Sequence, residues 1–198
     1  VNVKDYEKIV KKVQSWTDVP ICPDTEGAQL RTGEIKNNKK EMFFNKHSII
    51  DFVPNYNKSL SKLSIPLNVF NPSEILREGD ILKLDFDSAV VQIIKCDGDI
   101  IKGRVLSPGI VKSNKGISSD RLLDIPAITQ KDEEIIKIAN ELKQKYVFLS
   151  FCSSPKNVTF LRKKYKFDVN IISKIESAAA LNNIKLICKE SEGILIDR

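Results

Sequence analysis

From Thr129 onward the chain alternates helical and strand-like segments without a break, and that alternation restricts the fold more than any other feature. Thr129-Gln130-Lys131-Asp132 has the pattern of a capped helix start. Thr129 is the N-cap, and Asp132, Glu133 and Glu134 fill the first turn, where carboxylates meet the positive end of the helix dipole. Ile135, Ile136, Ile138, Ala139 and Leu142 give this helix its apolar face. Strands are expected over 146–151, 169–173 and 193–196, with helices at about 154–166 and 177–189 between them. These strands are continuously apolar rather than alternating, as a parallel sheet covered on both faces requires.

The first thirty residues follow the same grammar. Val3, Tyr6, Ile9, Val10 and Val13 are spaced for a helix, and Trp16 is expected to pack between it and the next strand. Val19-Pro20-Ile21-Cys22 reads as that strand, buried, with the polar cluster Asp24-Thr25-Glu26-Gly27 at its carboxyl end. Between Gly33 and Pro126 the texture changes. Short strand-like pieces such as 81–84 and 89–94 are divided by turn signals at Glu78-Gly79-Asp80, Cys96-Asp97-Gly98-Asp99 and Ser107-Pro108-Gly109. The expected architecture is an α/β domain in two segments, 1–32 and 127–198, interrupted by a small all-β module over 33–126. The α/β segments supply four core strands, so a closed eight-stranded barrel needs four more from elsewhere.

Composition narrows the class. A chain of 198 residues with 41% hydrophobic and 29% charged residues has the content of a globular protein with a proper core. No apolar run approaches a membrane span, and nothing at the start resembles a signal peptide, so a cytoplasmic protein without a membrane partner is expected. Cys22, Cys96, Cys152 and Cys188 show no metal-ligand or redox spacing and read as reduced core residues. The sequons at Asn57-Lys58-Ser59 and Asn157-Val158-Thr159 carry no weight in such a compartment. The net charge of +6 comes from scattered lysines, among them Lys36, Lys39, Lys40, Lys143 and Lys145, with no interleaved aromatics. We read these as solvated surface and expect no nucleic-acid partner. His47, the only histidine, lies in the β module and has no catalytic context.

Chemistry is expected on the loops at the carboxyl ends of the α/β strands: 24–33, 149–154 and 172–177. In the last of these, Lys174 and Glu176 stand two apart on extended backbone and point to one side. A carboxylate there suits Mg²⁺ and the amine suits an anionic oxygen. A structural ion pair at a strand end accounts for the same spacing equally well.

Five ordered segments resemble the pyruvate kinase family. Asp24-Thr25-Glu26-Gly27-Ala28-Gln29-Leu30-Arg31-Thr32-Gly33 is similar to the family's DTKGPEIRTG, and Ile172-Ser173-Lys174-Ile175-Glu176-Ser177 to its ISKIEN-type segment. Lys115-Gly116-Ile117-Ser118 resembles KGVN, the stretch 125–132 resembles LPAxTxKD, and 191–198 resembles SDGIMVARGD. The resemblance implies part of a (β/α)8 TIM barrel interrupted by a β-barrel lid, from a longer parent. It implies phosphoryl transfer between phosphoenolpyruvate and ADP, giving pyruvate and ATP, with Mg²⁺ and K⁺ as cofactors and a possible homo-oligomer. It implies that Lys174 stabilises the enolate, that Glu176 binds the divalent metal, and that Asp24 and Thr25 line the monovalent-cation site. Arg31 and Lys115 would face nucleotide phosphates. Several positions depart from the pattern: Glu26 for Lys, Ala28 for Pro, Asp85-Phe86-Asp87 for Asp-Asp-Gly, Ser153 for a basic residue and Asp197 for Ala. Negative charge gained near a trianionic substrate weakens its binding by about 1 kcal/mol or more per close charge. Two other readings stay open on these departures: a pyruvate-kinase-like module with a binding or regulatory role, and a metal-dependent lyase or aldolase acting on a pyruvate-like acid.

Overall fold

The computed structural model describes residues 2–54, 63–69 and 71–196. In chain order the elements are α1 (Val3–Gln14), β1 (Leu30–Arg31), β2 (Glu41–Phe44), β3 (Ile49–Pro54), β4 (Ser64–Leu67), α2 (Pro72–Ile75), β5 (Ile81–Leu84), β6 (Ala89–Asp97), β7 (Ile100–Ser107), β8 (Gly109–Lys112) and β9 (Gly116–Ser119). They continue as α3 (Gln130–Glu141), β10 (Tyr146–Leu149), α4 (Pro155–Arg162), β11 (Asn170–Ile175), α5 (Ala178–Glu190) and β12 (Gly193–Ile196). The fold is mixed α/β and divides into two compact units: Val1–Ala28 with Pro126–Arg198, and Gln29–Ile125. The sequon at Asn57 and the substituted position Asp197 lie outside the described residues.

The α/β unit is built on a parallel sheet, β10-β11-β12, each strand beside the one before it in sequence. Val147, Leu149, Ile171 and Ile175 from the strands meet Ile136, Ala139, Val158, Leu161, Ala180 and Ile187 from the helices in one buried cluster. Helix starts are fixed locally. Asn2 caps α1, Ser177 caps α5, and Thr129 caps α3 in a box with Asp132. Tyr6 of α1 donates its hydroxyl to Gln144 Oε1 at 2.9 Å, and burial pushes its pKa up. Gln144 in turn donates Nε2 to the Ile21 carbonyl at 3.0 Å.

That last bond marks a correction. The strand expected at Val19-Pro20-Ile21-Cys22 does not form, and the chain pairs with β10 later, through one parallel bridge between Asp24 and Phe148. Phe148 N–H donates to the Pro23 carbonyl at 2.9 Å and Thr25 N–H to the Phe148 carbonyl at 3.0 Å. Pro20 and Pro23 each lack an amide, so a ladder through 19–23 is broken before it begins. Trp16 is 68% exposed and does not pack between helix and strand; the Lys12 ammonium lies 5.4 Å from its ring. Of the four cysteines only Cys152 is buried, and Cys188 on α5 is exposed.

The second unit is a nearly closed barrel-like sheet of seven strands in the order β1-β9-β5-β6-β7-β3-β4, with β2 and β8 paired beside it. A bridge between Thr32 and Leu67 joins its first and last strands. Gly33 N–H to the Pro66 carbonyl (2.6 Å) and Asn68 N–H to the Arg31 carbonyl (3.0 Å) flank that bridge. Closure removes open edges. Alternation places one side of each strand inward: Ala89, Val91 and Ile93 of β6 are buried while Val90, Gln92 and Ile94 are only half-buried. They pack with Phe44, Ile50, Phe52, Ile65, Leu67, Leu82, Leu84 and Ile101 in the unit's own core.

Beside that core, the buried Asp80 carboxylate takes Arg121 Nε at 2.6 Å and Nη2 at 2.8 Å, while Nη2 also reaches the Ile75 carbonyl at 2.6 Å. Removing the guanidinium strands a buried charge. Arg121→Ala should therefore cost about 2 kcal/mol, seen as faster hydrogen exchange of the β5 and β6 amides. Unchanged exchange would mean that the Arg77 amide, which also donates to Asp80, suffices.

In the α/β unit Glu192 accepts from Ile171 N–H at 2.7 Å and from Arg162 Nη2 at 2.9 Å. Desolvation pushes this carboxyl up, but the Ile171 amide and the Arg162 guanidinium outweigh it and hold it below the ordinary carboxylate range. A depressed folded pKa contributes stability that is present above the unfolded value and lost as pH falls through the folded one. Glu192→Gln is expected to flatten the acid limb of a stability–pH profile below about pH 4.3; an identical limb in both proteins would place the acid sensitivity elsewhere.

Candidate functional site

The carboxyl ends of the paired segment 23–25, β10 and β11 bring five polar side chains together: Asp24, Thr25, Ser150, Lys174 and Glu176. Lys174 leaves β11 with its side chain only 11% exposed. Its ammonium lies 3.4 Å from Asp24 Oδ2 and 3.3 Å from Ser150 Oγ, and 3.8 Å from Glu176 Oε1. Ser150 Oγ donates to Asp24 Oδ1 at 2.8 Å, so one hydroxyl ties the carboxylate to the amine. Thr25 is buried, and its Oγ1 accepts the Ser150 amide at 3.0 Å. The period-2 expectation for Lys174 and Glu176 is met, since both point to this side.

Glu176 is the most enclosed member, with a side chain 2% exposed. Its Oε2 accepts the amide of Phe151 at 2.8 Å. Phe151 has a φ of +52°, a left-handed conformation that a bulky residue adopts only when its surroundings impose it. Cys152 follows, buried, and burial pushes its thiol pKa up, which leaves a protonated group rather than a nucleophile.

The loop carrying Asp24 and Thr25 is held from below by Asp132. Its carboxylate takes the amides of Glu26 (2.7 Å), Gly27 (3.3 Å) and Thr129 (2.8 Å). Glu26, where the family has lysine, pairs with Lys131 at 2.6 Å and accepts from Thr129 Oγ1 at 3.3 Å. The reversed charge thus has its own cation. At Ser153 the hydroxyl and amide both donate to Asn157 Oδ1, so this position serves the start of α4.

Arg31 and Lys115 belong to the barrel-like unit, where the β1–β9 pairing makes their backbones neighbours. Arg31 pairs in register with Gly116. Thr32 N–H donates to the Lys115 carbonyl and Lys115 N–H to Thr32 Oγ1, both at 2.8 Å.

For a metal, no group of three or more His, Cys, Asp or Glu residues comes together among the described residues. The donor set at Lys174 is one enclosed carboxylate, Glu176, with Asp24 nearby through the ammonium. One or two carboxylates with the remaining positions left to water and substrate oxygens fit Mg²⁺, which seldom takes an all-protein cage. Asp24 and the Thr25 hydroxyl are oxygen donors of the kind a monovalent cation accepts.

Ser150 and Asp132 are the residues that sequence reasoning missed. Ser150 stood in a strand-end loop without a role, and Asp132 counted only as a first-turn acid. A hydroxyl at the end of a strand is a weak signal, and nothing local shows that a capping carboxylate collects amides from a hundred residues away.

Gly27 has φ +70°, and a Cβ there would run into the Ser150 carbonyl, 2.7 Å from its carbon. Gly27→Ala should cost about 2 kcal/mol or more in thermal unfolding and loosen the Ser150 contact with Lys174. Gly79→Ala, also at positive φ but with nothing within 4 Å, should cost only the conformational part. Equal losses at the two sites would show that the Ser150 contact is unimportant.

Residues 2–198 match the family model described as pyruvate kinase, barrel domain. Pyruvate kinase of Candida albicans is 26% identical over 203 residues, covering 100% of this chain and 40% of the relative. Pyruvate kinase 1 of Saccharomyces cerevisiae is 27% identical over 203 residues, with 100% and 41% covered. The Aeropyrum pernix pyruvate kinase is 25% identical over 185 residues, with 91% and 38% covered. The chain spans about two fifths of the length of these relatives. No described helix is long and apolar enough to cross a membrane. With the family model matched over nearly its whole length, the chain belongs to the pyruvate kinase family.

Proposed function

We propose that the protein to which this chain belongs transfers a phosphoryl group between phosphoenolpyruvate and ADP, giving pyruvate and ATP. The observation that carries this reading is the enclosed Lys174 ammonium, set between Asp24, Ser150 and Glu176 at the carboxyl ends of parallel strands. Phosphoryl transfer asks for fixed charges around the transferred group more than for covalent help. As the bond from enol oxygen to phosphorus breaks, that oxygen gains negative charge, and Lys174 would stabilise it. Protonation of the resulting enolate at carbon gives pyruvate. Glu176 would hold Mg²⁺, and Asp24 with Thr25 would serve K⁺. When bound, these ions neutralise phosphate charge. Arg31 and Lys115 would meet the nucleotide phosphates.

In this reading the segments 1–32 and 127–198 contribute to a (β/α)8 barrel and the inserted unit, 33–126, is its lid. Support comes from the order of the parallel strands and from apolar side chains on the outside of the α/β unit: Leu181, Leu186, Leu195 and Ile196 are all exposed. Such an outer face fits a larger sheet. The pairing of Glu26 with Lys131 is compatible with this reading, since the negative charge has a cation beside it.

The test is pyruvate formation by the full-length protein with Mg²⁺ and K⁺. Lys174→Met should lower kcat by about a thousandfold while the protein stays folded by circular dichroism. A folded wild-type protein without turnover would sink the kinase reading and leave a binding module of the same family.

A further inference from the structure

We propose that the Ser150–Phe151 peptide is a positioning device for Glu176: its N–H holds one carboxylate oxygen so that the other is presented to a small, hard divalent cation. The inference rests on the metal reading given above. It adds two positioning residues to that reading: Phe151, acting through its backbone, and Gly27, acting through the Ser150 carbonyl.

The Glu176 side chain is 2% exposed, and its two oxygens have different neighbours. Oε2 accepts the Phe151 amide at 2.8 Å, while Oε1 lies on the side of the Lys174 ammonium, 3.8 Å away. A hydrogen bond to a carboxylate is among the stronger kinds, and in an enclosed place its loss leaves a charged oxygen unsatisfied. The bond therefore sets the plane of the carboxylate and makes Oε1 the oxygen left for a ligand.

The amide reaches Glu176 because of how the chain turns at the end of β10. Phe151 has a φ of +52°. At an ordinary negative φ the N–H would swing by more than a right angle about the N–Cα bond and leave Glu176. A bulky residue stays left-handed only when its surroundings over-determine it. Here they do so through Ser150. Its N–H donates to Thr25 Oγ1 at 3.0 Å and its Oγ to Asp24 Oδ1 at 2.8 Å. Its carbonyl lies against Gly27, where a Cβ would stand 2.7 Å from the carbonyl carbon. That carbonyl and the Phe151 N–H belong to one planar trans peptide and point opposite ways. Seating the carbonyl on Gly27 aims the N–H at Glu176.

The consequence is preorganisation. Mg²⁺ demands near-ideal octahedral geometry and takes few carboxylates, so the direction of each matters. Outer partners that fix a ligating carboxylate are worth about ten- to a hundredfold in metal affinity.

The experiment is calorimetric titration of the full-length protein with Mg²⁺ alone. Phe151→Val, whose branched side chain resists a positive φ, should weaken Mg²⁺ about tenfold. Gly27→Ala, which pushes the same peptide from its other side, should weaken it to a similar extent. Phe151→Gly keeps both the amide and the left-handed backbone and should stay within about twofold of wild type. Phe151→phenyllactic acid keeps the ring and replaces only the N–H by an ester oxygen; it should match Phe151→Val, and it decides the matter if the valine variant does not fold. Equal losses in Phe151→Gly and Phe151→Val would assign the effect to the ring and overturn the proposal. Unchanged affinity in the ester variant would overturn it as well, leaving Glu176 as a metal ligand. A wild-type protein that binds no Mg²⁺ would remove the metal reading itself and the positioning role with it.

Discussion

The carboxylate of Asp132, only 4% exposed, holds three amides from two distant stretches of chain: Thr129 at the start of α3, and Glu26 and Gly27 after the paired segment 23–25. A buried carboxylate is tolerable only when its lone pairs are filled, and here they are filled by backbone that must be placed correctly. The same group therefore starts a helix and fixes a loop. That loop presents Asp24 and Thr25, which engage Ser150, which contacts Lys174. The arrangement of the site follows from one cap whose reach is tertiary.

Charge around the site is balanced in small closed groups. Lys174 has Asp24 on one side and Glu176 on the other, and Glu176 is further satisfied by the Phe151 amide. Glu26 has Lys131. Both partners of that second pair are well exposed, so its contribution to stability is small. Its consequence is electrostatic: the negative charge that the sequence introduces at Glu26 is matched within the α/β unit.

Backbone strain marks one edge of the site and one turn of the barrel-like unit, among other places. Phe151 and the Asp85–Asp87 turn are left-handed without glycine, and each is held by hydrogen bonds from neighbouring strands. Phe151 turns an amide onto Glu176, while Phe86 is turned out to solvent. Strain of this kind persists only when the surrounding fold supplies more than it costs.

Local patterns in the sequence determined the helix cap at Thr129, a helix beginning near Ser177, the parallel β10–β12 ladder and the shared side of Lys174 and Glu176. Each depends on dihedral preference, on apolar periodicity or on the period of two along a strand, all of which act over a few residues. The strand expected at Val19-Pro20-Ile21-Cys22 failed because two missing amides outweighed its apolar content. Trp16 and Cys188, read as packed, proved exposed, since apolar character alone does not say which surface is covered. Only the tertiary structure decided the Thr32–Leu67 closure, the collection of amides by Asp132, the bridge made by Ser150 and the pairing of Glu26 with Lys131. These contacts join residues far apart in the chain. A carboxylate or hydroxyl acquires its partner only after the backbone has already brought it there.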